Sequence, residues 1–61
     1  MNFREIEAIL KKDGWKLAYI RGSHHYYIHP AKPGKISIPY YGNKDLKTKT
    51  VKSILKQAGL E

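Results

Sequence analysis

The sequence predicts an α+β domain of order α-β-β-β-α, a three-stranded antiparallel sheet with both helices on one face. Three observations predict it. Apolar residues recur at helical spacing near both ends of the 61-residue chain, a period of two governs its middle, and Gly, Pro, Asn or Asp clusters mark each change of period. Two apolar helix stripes need a shared surface, and one side of a short meander supplies it.

Asn2 is suited to cap the first helix, and Glu5 stands where its carboxylate reaches back to the cap's own N–H. Phe3, Ile6, Ile9 and Leu10 make one apolar stripe, with Arg4, Glu7, Lys11 and Lys12 largely off it. Asp13-Gly14 ends the run, glycine fitting the left-handed residue after the last turn. From Trp15 the period becomes two, which predicts a strand with Trp15, Leu17 and Tyr19 on one side and Lys16, Ala18 and Ile20 on the other. Arg21-Gly22-Ser23 turns the chain into a second strand, His24 to His29, ended by Pro30. Ala31-Lys32-Pro33-Gly34 is a further turn, and Ile36 to Pro39 alternates as a short third strand. Tyr40-Tyr41-Gly42-Asn43 is loop chemistry, and Leu46 is the apolar anchor of the charged approach to the last helix. There Val51, Ile54, Leu55 and Ala58 restore the helical stripe, and Gly59-Leu60 fits a Schellman close.

Composition narrows the partners. Twelve Lys and Arg against five Asp and Glu give a net charge of +7, a dense positive field for so small a chain. Polyanions are its natural partners. No apolar run approaches the ~20 residues of a bilayer helix, and the start lacks the basic and apolar stretches of a signal peptide, so a membrane partner is not expected. The absence of cysteine removes disulfides and thiolate zinc sites and fits a reducing cytoplasm. At this length folding buries only about 60% of the unfolded surface, so a partner or dimerisation is a plausible source of added stability.

All three histidines lie between His24 and His29. Strand geometry sends His24 and His25 to opposite faces and holds His25 and His29 about 13 Å apart, while no Cys, Asp or Glu lies between Asp13 and Asp45. Neither a metal site nor a cofactor is expected. His25 and His29 read as ordinary packed or solvated side chains. His24 is the candidate for chemistry, because it follows the Gly22-Ser23 bend and has Arg21 nearby to hold a phosphate while the imidazole handles protons. Tyr26, Tyr27, Tyr40 and Tyr41 among lysines are candidate stacking surfaces for unpaired bases. One of Tyr26 and Tyr27 must face the helices, and alternation does not say which.

The chain resembles the HicA family of small toxins, the mRNA interferases of HicA–HicB toxin–antitoxin pairs, over nearly its full length. Asp13-Gly14-Trp15, Arg21-Gly22-Ser23-His24-His25 with His29-Pro30, Ile38-Pro39 with Tyr41-Gly42, and the ending Ser53 to Leu60 carry the resemblance. It implies a double-stranded-RNA-binding-domain-like fold, metal-free RNA cleavage by the histidine of the Gly-Ser-His motif, here His24, and silencing by a HicB antitoxin that covers this site. It also inclines His24 to the sheet side away from the helices. Tyr41 stands where many members have a histidine, so a second imidazole role does not carry over.

The expected function is therefore a toxin that is a metal-independent endoribonuclease. His24 acts on a ribose 2′-OH, and Arg21, Lys44 and Lys47 neutralise charge at the phosphate. Gly22 and Ser23 shape the turn, and Tyr41 is suited to stack a base or bond a phosphate. A binding module that grips RNA by the same basic surface without cutting it is the alternative.

Overall fold

A computed structural model describes residues 1–61, with helix α1 at Phe3–Asp13, strands β1 at Lys16–Arg21, β2 at His24–Ile28 and β3 at Lys35–Pro39, and helix α2 at Thr48–Gln57. The strands form one antiparallel sheet in the order β1-β2-β3. The predicted α+β order holds.

Local chemistry sets each boundary of α1. Asn2 Oδ1 accepts the Glu5 N–H at 3.0 Å and Glu5 Oε1 accepts the Asn2 N–H at 2.9 Å, a complete capping box. At the other end Gly14, at φ 108°, donates to the Lys11 carbonyl at 3.0 Å, and Trp15 donates to the Leu10 carbonyl at 2.9 Å. This Schellman close drops Trp15 into the core instead of starting the strand with it. The same device ends α2, where Gly59 donates to Lys56 and Leu60 to Leu55.

The core is one cluster under the inner face of β2 and β3. Phe3, Ile6 and Leu10 of α1 and Ile54 and Ala58 of α2 meet Trp15, Tyr27, Ile36, Ile38 and Leu46, and no charged side chain is buried with them. The Tyr27 hydroxyl donates to Glu7 of α1. Burial, reinforced by this carboxylate, raises the phenol's pKa well above its ordinary value, so it stays a donor. Leu46 is drawn in because its N–H donates to the Met1 carbonyl at 2.8 Å, which ties the approach to α2 against the start of α1.

Lys32, in sequence an unremarkable turn residue, is a second tie. Its ammonium donates to Asp13 Oδ2 at 2.6 Å and to the Ala58 carbonyl at 2.8 Å, so the β2–β3 loop clasps the ends of both helices.

Strand β1 departs from the simple alternation. Leu17 pairs with Tyr27, but Tyr19 pairs with Tyr26, so a bulge at Ala18 absorbs one residue. Leu17 and Tyr19 consequently lie on opposite faces, Leu17 with Ile20 on the inner face and Tyr19 with Lys16 and Arg21 on the outer. The expected grouping of Leu17 with Tyr19 is corrected on this point. Both helices cover β2 and β3, and every residue of β1 remains exposed.

Candidate functional site

Residues that differ in fate stand side by side where β1 turns into β2. Arg21 and His24 are ladder partners, so Gly22 and Ser23 form a two-residue hairpin loop. Gly22 has φ 61° and no non-glycine residue has positive φ, the signature of a type II′ turn, which needs a glycine at its first loop position. The Ser23 carbonyl accepts the Tyr40 N–H at 2.7 Å and fixes the end of β3 beside the turn. His24 thus begins the central strand, with Arg21 across one ladder and Pro39 across the other.

The pleat separates the three histidines. His25 is on the inner face, its ring 4.7 Å from Phe3 and 5.5 Å from Tyr40, with Nδ1 buried and unpartnered. The His29 ring lies 5.2 Å from Trp15, and both of its nitrogens are engaged. Nδ1 accepts the Ala31 N–H at 2.9 Å, so Nε2 carries the proton and donates to the Asp13 carbonyl at 2.8 Å. His24 is exposed on the outer face, and its imidazole makes no hydrogen bond within the chain.

Ladder partners share a face, so the outer surface consists of three rows: Arg21, His24 and Pro39; Tyr19, Tyr26 and Ser37; Lys16, Ile28 and Lys35. No carboxylate belongs to it.

A groove of about 460 Å³ runs between this surface and α2, with His24, Ser37 and Pro39 on one wall and Lys47, Lys49, Thr50, Ser53 and Gln57 on the other. A second cavity of about 330 Å³ continues it through Pro39, Lys47 and Thr50 to Tyr41, Lys44 and Asp45. The first turn of α2 adds to the positive potential here. Its cap residue Lys47 offers no side-chain bond and no acid lies in that turn, so the helix's positive end meets the groove uncompensated.

Of the sequence-predicted residues, His24 and Lys47 share the main groove, and Tyr41 and Lys44 line its continuation with Lys47. Arg21, Gly22 and Ser23 flank His24 at the hairpin, outside the groove wall. Sequence reasoning missed Ser37, Lys49, Thr50, Ser53 and Gln57. The signal for the helical ones was their spacing on a single side of α2, which also fits an ordinary solvated face.

The site is thus a free imidazole beside a cationic groove on a small basic α+β fold. Residues 3–60 match the HicA toxin of bacterial toxin–antitoxin systems, and the chain belongs to that family. Comparison with curated proteins gives no match. Family membership makes it a toxin whose counterpart is an antitoxin. No helix is long and apolar enough to cross a membrane.

Proposed function

We propose that this toxin is a metal-independent endoribonuclease that cleaves mRNA in the cytoplasm, with His24 as its general acid/base and a HicB-type antitoxin as the partner that covers the groove. The observation that carries the reading is the unbonded, exposed His24 on the wall of a groove whose opposite wall holds Lys47 and Lys49. His24 takes the proton of a ribose 2′-OH, and the 2′-oxygen attacks the adjacent phosphorus. The bond from phosphorus to the 5′-oxygen breaks, leaving a 2′,3′-cyclic phosphate and a 5′-hydroxyl that receives a proton back from the imidazolium. Arg21, Lys47 and Lys49 offset the charge that accumulates on the non-bridging oxygens. Lys44 and Tyr41 hold the neighbouring nucleotide in the second cavity.

Purified protein incubated with RNA and a chelator tests this. His24→Ala lowers cleavage by about 10² to 10⁴, the usual worth of a positioned acid–base group, while RNA affinity is retained. An RNA with deoxyribose at the scissile nucleotide resists cutting. Equal rates for wild type and His24→Ala remove the catalytic claim. RNA that is bound in a salt-dependent way but stays intact after long incubation establishes the non-catalytic binding module in its place.

A further inference from the structure

The row of the outer sheet face beside His24 holds two tyrosines that the groove does not use. Tyr19 and Tyr26 stack with ring centroids 4.6 Å apart and planes within 13°. Lys35 donates to the Tyr19 hydroxyl at 2.8 Å and holds its ammonium 5.5 Å from both rings. Tyr19 covers one face of Tyr26. Tyr26 is half-buried, and its ladder partner on the other side is Ser37, whose side chain is small and also lines the His24 groove.

We infer that the face of Tyr26 turned away from Tyr19 is a stacking subsite for an unpaired RNA base, and that the substrate is therefore single-stranded RNA. Three features favour this occupant. Aromatic faces hold bases only where those bases are free of a duplex stack, since stacking within an A-form helix buries both base faces. The rim of the platform is cationic and without acids, which suits a phosphate backbone and repels basic partners. Tyr26 lies two residues from His24 on the same face of one strand, about 6.6 Å along it, so a base on Tyr26 leaves the adjoining ribose and phosphate beside His24. The placement of the scissile bond rests on the nuclease reading. Stacking itself does not.

Binding is measured in a His24→Ala background, where cleavage is blocked, by the anisotropy of a labelled, unstructured RNA oligonucleotide and of a duplex of equal length. The single strand binds more tightly than the duplex. Tyr26→Leu weakens the single strand by about 5- to 150-fold, the range of one base–aromatic stack, and leaves duplex affinity and the salt slope alone. Tyr26→Phe restores tight binding. A folded Tyr26→Leu protein with undiminished single-strand affinity, or a duplex bound as tightly as the single strand, overturns the subsite. Titrating the same oligonucleotide into His24→Ala carrying native Tyr26 shifts the Tyr26 ring resonances, and unmoved resonances at saturation overturn it without any change at that position. A failed cleavage assay would leave all these readouts intact, so loss of the nuclease reading and loss of the stacking subsite are distinguishable.

Discussion

Along β2 the same two side-chain types occur twice in succession, and the pleat sends one of each to either face. His25 and Tyr27 face the helices, where one ring packs on Phe3 and the other is sealed in the core with its hydroxyl on Glu7. His24 and Tyr26 face outward, where the imidazole has no hydrogen-bond partner and the half-buried phenol ring stacks on Tyr19. Residue type is identical across each pair, so the difference in role comes wholly from what stands opposite. Inside, the Tyr27 hydroxyl is spent on Glu7 and the His25 ring on packing against Phe3 and Tyr40, its Nδ1 sealed away without a partner. Outside, the groups stay available on the β3 side, where their ladder neighbours are small, like Ser37, or rigid and without donors, like Pro39.

The sharpest way to break this contrast is to truncate the two tyrosines separately. Tyr27→Ala removes a fully buried ring and costs about 3 to 5 kcal/mol. Domains hold only ~0.05–0.15 kcal/mol per residue, or about 3 to 9 kcal/mol at this length, so the variant gives up about a third or more of its stability. Tyr26→Ala gives up a cross-strand pair and costs at most about 1 kcal/mol. Urea denaturation followed by circular dichroism compares them. Similar losses at the two positions would show that the outer face is as structural as the inner one.

The glycines at the two ends of β1 sharpen the comparison at smaller scale. Both have positive φ, but a Cβ on Gly14 would lie 2.8 Å from His29 Nε2, whereas one on Gly22 meets nothing within 4 Å. Gly14→Ala therefore adds to backbone strain the displacement of the His29 bond to the Asp13 carbonyl, about 2 to 3 kcal/mol in all. Gly22→Ala carries only the strain, about 1 kcal/mol. Equal midpoints in thermal melts of the two variants would mean that the inner-face imidazole contributes nothing to the close approach.

Most of the fold is written locally and is therefore legible in the sequence. Asn2 with Glu5, Gly14 before Trp15, and Gly59 before Leu60 each specify a helix end through bonds that span a few residues. The bulge at Ala18 leaves no such mark, because Leu17 to Ile20 is a continuous apolar run in which nothing signals a change of parity, and only pairing with β2 reveals the extra residue. Tyr26 against Tyr27 is undecidable from the strand alone, since each parity carries one His and one Tyr. His24 was legible because the turn that exposes it is adjacent in sequence. Lys49, Thr50, Ser53 and Gln57 were not, because what distinguishes them from a solvated helix face is the outer edge of β3, reached only through the tertiary fold. Lys32 was hidden for the same reason, its partners at Asp13 and Ala58 being far away along the chain.

The smallest expected effect concerns that Lys32 tie and again divides the two sides. Hydrogen bonding from the Lys32 ammonium, with its charge and a 3.1 Å bond from the Trp15 indole added, holds the Asp13 carboxyl below its ordinary 3.8 despite the opposing cost of burial. A carboxylate whose folded pKa is depressed stabilises the fold fully above its unfolded pKa and loses that contribution as pH falls through the folded value. Wild type should thus melt above Asp13→Asn at neutral pH, and the gap should begin to close below about pH 4 and vanish once Asp13 is protonated in the fold. Because the pair is partly exposed, added salt should narrow the neutral-pH gap as well. The outer sheet face has no carboxylate, so RNA affinity compared at neutral pH, where both proteins are folded, should be the same for wild type and variant. A gap that persists undiminished at the acid end would place the Asp13 contribution in packing, and the electrostatic clasp between the helix ends would have to be abandoned.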